Sequence, residues 1–226
     1  MSTLLLRFAG PLQSWGDDSR FNHRRTYSIP TKSAVIGMIA SALGRDRSAD
    51  VEDLAALQLG IRVDQPGEII TDFQMVNGPT QADVTNRDYI SDAIFLVGLM
   101  SDDRVLLQQI KYALAHPKYP LFLGRRACPP SYPLIIGIRE KSLEEALLAE
   151  PWLASAWRQP QLNSELRIVL EGNADSIGSL QHRLRDIPIS YDPRNRIYQY
   201  RYVKEAGHVN KNKTAQTEHD AFEELE

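Results

Sequence analysis

The chain has 226 residues, 42% hydrophobic and 24% charged, which suits a globular protein with a core large enough to fold without disulfides. A single cysteine, Cys128, excludes an internal disulfide and a cysteine-rich zinc site. The net charge of −3 does not point to a polyanion partner, but its distribution does: Arg104 to Arg139 holds Arg104, Lys111, Lys118, Arg125, Arg126 and Arg139 and no acid.

The first 47 residues add Arg7, Arg20, Arg24, Arg25, Lys32, Arg45 and Arg47 against Asp17, Asp18 and Asp46. Many of the compensating acids sit at Glu144, Glu145 and Glu150 and in the tail from Glu218 to Glu226. No apolar run approaches the ~20 residues that span a bilayer. Met1 to Arg7 lacks the basic start and cleavage site of a signal peptide. The expectation is a cytoplasmic chain that does not meet a membrane.

Thr3 to Ala9 alternates like a strand and ends at Gly10-Pro11. Asp17 to Ile29 is polar and basic without apolar period, so a loop is expected. Thr31 or Ser33 can cap a helix over Ala34 to Leu43, which Gly44 closes. A short helix is expected within Asp50 to Gln58. Strands follow at Gly60 to Asp64 and Glu68 to Val76, around the turn signal Pro66-Gly67. Tyr89 to Met100 returns to strand character. Arg104 to His116 places Leu106, Leu107, Ile110 and Leu114 at helical spacing and stops at Pro117. After a Pro- and Arg-rich loop, Tyr132 to Arg139 reads as a strand.

This order is β-α-β-β-α-β with one extra hairpin between the second and third core strands. It is the order of ferredoxin-like folds and of RNA-recognition motifs, so an α+β fold is expected. Helices are expected at Leu143 to Leu148 and Trp152 to Trp157, and strands at Leu166 to Glu171 and Arg196 to Val203. The expected organisation is a ferredoxin-like domain over 1–140 with the inserted hairpin near 69–90, a smaller β-containing part over 141–203, and a polar tail over 204–226.

Gly10 to Gly16 surrounds Trp15, whose flat face can stack a base. Spacing alone favours a turn with a buried Trp. Gly124-Arg125-Arg126 offers either a phosphate nest or an exposed basic turn. Thr31-Lys32-Ser33 stands at a helix N-terminus, which favours anions and also fits ordinary capping. Arg87 and Tyr89 share a strand face. The stripe Tyr198, Tyr200, Tyr202 is expected to pack on the domain. The histidines have no metal-ligand spacing, and no nucleophile elbow, phosphate-binding loop or carboxylate pair is present. A metal-independent ribonuclease needs only a His with a Tyr or Lys; His116, Lys118 and Tyr119, or His23 with Tyr27, fit that requirement.

Four segments in order carry a resemblance. Leu6-Arg7-Phe8-Ala9-Gly10-Pro11-Leu12-Gln13-Ser14-Trp15-Gly16 and Pro30-Thr31-Lys32-Ser33-Ala34-Val35-Ile36-Gly37 resemble the CasD family of type I-E Cascade. Arg87-Asp88-Tyr89-Ile90-Ser91-Asp92-Ala93-Ile94-Phe95 is similar to the family's Arg-x-Tyr-Leu-x-Asp-Ala-x-Phe strand. Leu123-Gly124-Arg125-Arg126-Ala127-Cys128-Pro129 resembles its Gly-Arg-Arg-x-Cys-Pro loop.

The resemblance implies a modified RNA-recognition fold with a thumb. It implies a non-catalytic subunit that caps the 5′ handle of crRNA. Expected partners are the backbone subunit CasC and the large subunit CasA, with target DNA met indirectly; homologues in type I-C systems are endonucleases. The aromatic signature of standard RNA-recognition motifs is absent. The candidate RNA-binding set is Gln13, Trp15, Arg20, Arg24, Arg25, Lys32, Ser33, Gln74, Met75, Val76, Arg87, Tyr89, Gly124, Arg125 and Arg126. Of these, Arg24, Lys32, Arg125 and Arg126 are expected to neutralise phosphates, and Gln74 to Val76 to begin the thumb. No catalytic residue, metal or cofactor is expected.

Overall fold

The computed structural model describes residues 1–16, 19, 22–77, 82–163, 165–172 and 181–209. The first strand, β1 (Ser2–Ala9), is buried along nearly its whole length. Leu4, Leu6 and Phe8 enter the main core, while Leu5 faces a smaller cluster on the opposite side of the sheet. A strand covered on both faces has no solvent side to show, which is why its centre, Leu4 to Leu6, is a continuous apolar run, while the buried Ser2 and Thr3 hydroxyls donate to Glu140 and the Lys141 carbonyl.

Short strands β2 (Leu12–Gln13), β3 (Trp15–Gly16), β4 (His23–Arg24) and β5 (Thr26–Tyr27) follow. Helix α1 (Lys32–Leu43) starts at Thr31, whose side chain accepts from the Ala34 amide, and ends at Gly44 with φ of 77°. After α2 (Glu52–Ala55) come β6 (Gln58–Gln65), the hairpin β7 (Glu68–Asn77) and β8 (Ala82–Ser91), and β9 (Ile94–Ser101). The expected single strand from Tyr89 to Met100 is therefore two. Asp92 takes φ of 52° and turns the chain from the hairpin sheet into the main sheet.

Helix α3 (Arg104–Ala115) is capped by Asp103 and buries Leu107, Ile110, Ala113 and Leu114. Then come β10 (Ile135–Arg139), α4 (Leu143–Ala149) with a Ser142–Glu145 capping box, β11 (Glu165–Gly172), β12 (Gln181–Ser190) and β13 (Ile197–Val209).

One seven-stranded antiparallel sheet runs β10-β1-β9-β6-β11-β13-β12. The strands of the C-terminal third thus continue the sheet of the first two thirds, through Arg167–Leu170 paired with Gly60–Val63. Helices α1 and α3 pack on one face, and α4 packs on the other with Leu5, Leu96 and Ile168. Gly60 and Gly98 stand opposite each other in the β6–β9 ladder. A side chain at either would meet Leu143 or Leu147 of α4 within 3 Å, so this pair makes the seat for that helix.

Residues 152–157 are irregular where a helix was expected. The Trp152 indole donates to the Asp64 carbonyl, the Leu153 amide to the Asp64 carboxylate, and the Ser155 amide to Gln65. These donors are held by β6 instead of by carbonyls of their own turn. Arg62 anchors the same joint: it is buried, forms a two-bond pair with Asp64 and donates to the carbonyls of Leu147, Glu150 and Pro151. Strand β13 reaches Val209, beyond the expected start of the tail at Lys204. Residues 210–226 lie outside the described residues, and among the described residues no helix is long and apolar enough to cross a membrane.

Candidate functional site

The Gly10–Gly16 segment and the 119–131 loop are built against each other. The Ser14 amide donates to Leu123 O at 3.1 Å, and the Ser131 amide to Ala9 O at 2.7 Å. Gly124 has φ of 83°, and a Cβ there would lie 1.7 Å from the Ser14 carbonyl oxygen. Trp15 is 1% exposed, stacked on Phe8 at 5.7 Å and edge-on to Phe95 at 6.5 Å. It is a core residue and presents no face to a base. Gln13 is also fully buried and donates to the Ala93 carbonyl at 2.7 Å. Burial pushes the Cys128 thiol up, against the smaller opposing effect of Arg125, so it stays protonated.

Arg125 does not project from its loop as a free cation. It donates to the carbonyls of Asp88 and Arg24 at 3.1 and 3.0 Å, with its guanidinium 4.7 Å from the centre of the Tyr89 ring. Tyr89 itself is buried. Arg125, an expected phosphate ligand, and Tyr89, a candidate RNA contact, therefore form a clamp that joins the loop to the base of the hairpin.

The Asp88 carboxylate extends this clamp. It meets the His23 ring at 3.1 Å through each oxygen and accepts from Thr71 at 2.8 Å. Burial acts to raise its pKa, but the hydrogen bonds from His23 and Thr71, with the charges of His23 and Arg125, outweigh it and hold the carboxyl below its ordinary value. A lowered folded pKa contributes stability above the unfolded value near ~4, and that stability is lost as pH falls through the folded value. Amide exchange in β7 and β8, after correction for intrinsic rates, should quicken below about pH 4 in the native chain. Asp88→Asn should flatten this dependence; an equally steep one in that variant would contradict the assignment.

Lys32 is a second relocated cation. Its side chain is 4% exposed and its Nζ lies 2.9 Å from Glu171. Arg201 pairs with Asp186 through two bonds of 2.7 and 2.9 Å and approaches the same Glu171 at 3.6 Å. Asp186 also accepts the Lys32 backbone N–H at 2.8 Å. The chain's own carboxylate thus occupies the first turn of α1, where an external phosphate was expected. Burial pushes the Tyr191 phenol far up, so it remains a donor, and it donates to the Ser33 carbonyl.

A groove of about 1020 Å³ runs between α1, the 119–126 loop and the β12–β13 ribbon. Its lining includes Arg45, Arg47, Arg126, Arg185 and Arg196 and one acid, Asp46. Tyr27, Tyr119, Phe122, Tyr191 and Tyr198 supply aromatic surface, and Ala34, Gly37 and Ser41 keep the α1 wall low. Asp53 holds Arg45 by two bonds of 2.6 and 2.5 Å. Arg47, Arg126 and Arg196 have no ion-pair partner among the described residues. Of the expected set, Ser33, Gly124 and Arg126 line this groove.

The rest of the expected set lies elsewhere. Arg24 and Arg25 are exposed beside the hairpin, and Arg87 sits on β8 opposite Asp72. Gln74 and Met75 are on β7, with Met75 and Phe73 both largely exposed. Arg20 and the side chain of Val76 lie outside the described residues. Arg185 and Arg196 lie in a stretch without a motif, so nothing in the sequence marks them as site residues, and Arg45 and Arg47 are visible there only as part of a basic count. His116 packs its ring on Tyr112 at 4.6 Å at the end of α3. Among the described residues no cluster of three or more His, Cys, Asp or Glu is placed to hold a metal.

The family model described as CRISPR-associated protein (Cas_Cas5) matches residues 3–204. The CRISPR system Cascade subunit CasD of Escherichia coli (strain K12) is 30% identical over 166 residues, 62% of this chain and 73% of that protein. A solved chain described as a CRISPR RNA-guided surveillance complex superposes with a TM-score of 0.80 at 29% identity, covering 99% of this chain and 97% of that one. Another, described as the crystal structure of Cas protein, has a TM-score of 0.70 at 38% identity over 92% and 95% of the two chains. The chain belongs to the Cas_Cas5 family of CRISPR-associated proteins.

Proposed function

We propose that this chain is a Cascade subunit that binds the 5′ handle of crRNA in the arginine-lined groove and caps that end of the guide. The observation that carries the reading is the lining itself: five arginines against one aspartate, interleaved with aromatic rings, in a chain of net charge −3. Phosphates need cations that are not already neutralised, and Arg47, Arg126 and Arg196 meet that condition. Bases need flat apolar faces, which Tyr119 and Phe122 offer.

In this reading β10-β1-β9-β6 with α1 and α3 is a ferredoxin-like unit of RNA-recognition type. The β7–β8 hairpin is the thumb, with Phe73 and Met75 as its exposed wedge. The relative named as a Cascade subunit and the solved surveillance complex support placement in such an assembly. Its neighbours would be the backbone subunit CasC and the large subunit CasA, and target DNA would be met only through them.

The test is charge reversal at the groove. Arg47→Glu with Arg126→Glu should fold like the native chain, because both side chains are exposed and without ion-pair partners among the described residues. It should weaken handle RNA binding at least ~10-fold and reduce the salt slope by ~0.7 for each lost contact. Unchanged affinity and slope would remove the groove from the interface. Arg125 is unsuited to this test, since its reversal would break the clamp on the hairpin.

The chain is further read as non-catalytic. Repeat RNA incubated with the pure protein in EDTA should stay intact over hours. Specific cleavage that disappears in His116→Ala would overturn this and favour a metal-independent endoribonuclease.

A further inference from the structure

The chemistry of the groove continues past its rim. Arg185 and Tyr198 line it, and both belong to the β12–β13 ribbon. In the ribbon's register Arg183 stands opposite Tyr202 and Arg185 opposite Tyr200, so the four side chains share a sheet face. That face was expected to pack on the domain. Instead Tyr200 and Tyr202 are 53% and 37% exposed.

Arg183 lies over them, its guanidinium 4.4 Å from the Tyr200 ring centre and 5.8 Å from that of Tyr202. Lys204, two residues beyond Tyr202 on β13, is exposed as well. The ribbon's carboxylates are engaged elsewhere: Asp186 is buried on Arg201, and Glu205 pairs with Arg167. A guanidinium held over a ring by cation–π attraction keeps its N–H edge and outer face open. Such a surface offers donors for phosphate and flat faces for bases together, which is the combination single-stranded RNA uses.

We infer that the Arg183–Tyr200–Tyr202 face is a second contact for the RNA held in the groove. The strand leaves past Arg185 and Tyr198, a base stacks on the tyrosine–arginine platform, and Arg183 and Lys204 meet phosphates. This rests on the groove being an RNA site, and it adds the direction in which the strand runs.

The test uses the full chain and two labelled single-stranded RNAs sharing one 5′ sequence, of about five and about twelve nucleotides, within the range of single-strand site sizes. Affinities are read by fluorescence anisotropy. The native chain should prefer the longer RNA. Tyr200→Ser with Tyr202→Ser should remove that preference, a loss of roughly 5- to 150-fold for one stacked base, and leave the short RNA unaffected. Arg183→Ala should lose part of the same preference, which guards against a folding defect in the serine variant.

Native affinity of these variants for the longer RNA overturns the platform and leaves the groove standing. Equal weakening of both RNAs by the serine variant also overturns it, because the face would then be no separate contact. Native RNA binding with failed assembly into the complex would assign the face to a protein partner and overturn it too. Failure of the groove reading looks different: Arg126→Glu would then leave both RNAs unchanged.

Discussion

Asp186→Ala should be among the most damaging single substitutions in this chain, lowering stability by about 3–5 kcal/mol. Asp186 is 2% exposed, neutralises the buried Arg201 and accepts the Lys32 amide. Removing it leaves a buried guanidinium without its nearest carboxylate and a helix N–H without an acceptor. Glu171, at 3.6 Å from Arg201, is already engaged with Lys32 and is the poorer substitute. For a chain of this size the loss corresponds to a fall in melting temperature of roughly 6–20 °C. A scanning calorimetry shift under ~2 °C would show that the network is not holding the fold.

The functional consequence follows from where the network lies. It fastens the first turn of α1 to β11, β12 and β13, and both α1 and β12 line the groove. Asp186→Ala should therefore weaken RNA binding even in molecules that remain folded in the cold. Asp186→Asn is the informative companion. It retains an acceptor for the Lys32 amide but loses the charge that pairs Arg201, so it should fall between the native chain and the alanine variant.

Gly124→Ala is the second large effect. A side chain at φ of 83° carries a backbone cost of about 1–2 kcal/mol on its own. Here the added carbon would also stand 1.7 Å from the Ser14 carbonyl oxygen, which is backbone and cannot rotate away. The loop must move off the Gly10–Gly16 segment, taking Arg125 from its two carbonyl acceptors and from Tyr89. The expected result is a loss of ~3 kcal/mol or more, together with faster exchange at the base of the hairpin. Gly16→Ala is the control. No atom lies within 4 Å of the position its Cβ would take, so that variant should melt close to the native temperature.

The helices and their limits were largely legible. Thr31 and Gly44 bracket α1 as capping chemistry requires, and the spacing of Leu107, Ile110 and Leu114 defines α3. Local signals of this kind act within a few residues, so a single sequence contains them. The break at Asp92 was not legible because a non-glycine residue rarely adopts a positive φ. The irregular run after Trp152 was hidden because its donors are satisfied by Asp64 and Gln65, on a strand distant in sequence.

Site residues divided the same way. Trp15, Lys32 and Arg125 have the side chains an RNA contact needs, and residue type alone cannot tell a contact from a strut. Their roles are decided by Phe8 and Phe95, by Glu171, and by the Arg24 and Asp88 carbonyls, partners that only the folded chain brings close. The groove depends on still longer closures, since Arg47, Arg126 and Arg196 come from three separate parts of the chain.

Read by themselves, the four ordered motifs carried the resemblance to the family, the apolar periodicity gave the broad α+β order, and the uneven placement of charge pointed to an anionic partner. The tertiary structure alone decided which arginines remain free for an anion. Burial and pairing are properties of distant neighbours, and a cation whose donors and field are already taken up within its own protein has little to offer an external anion.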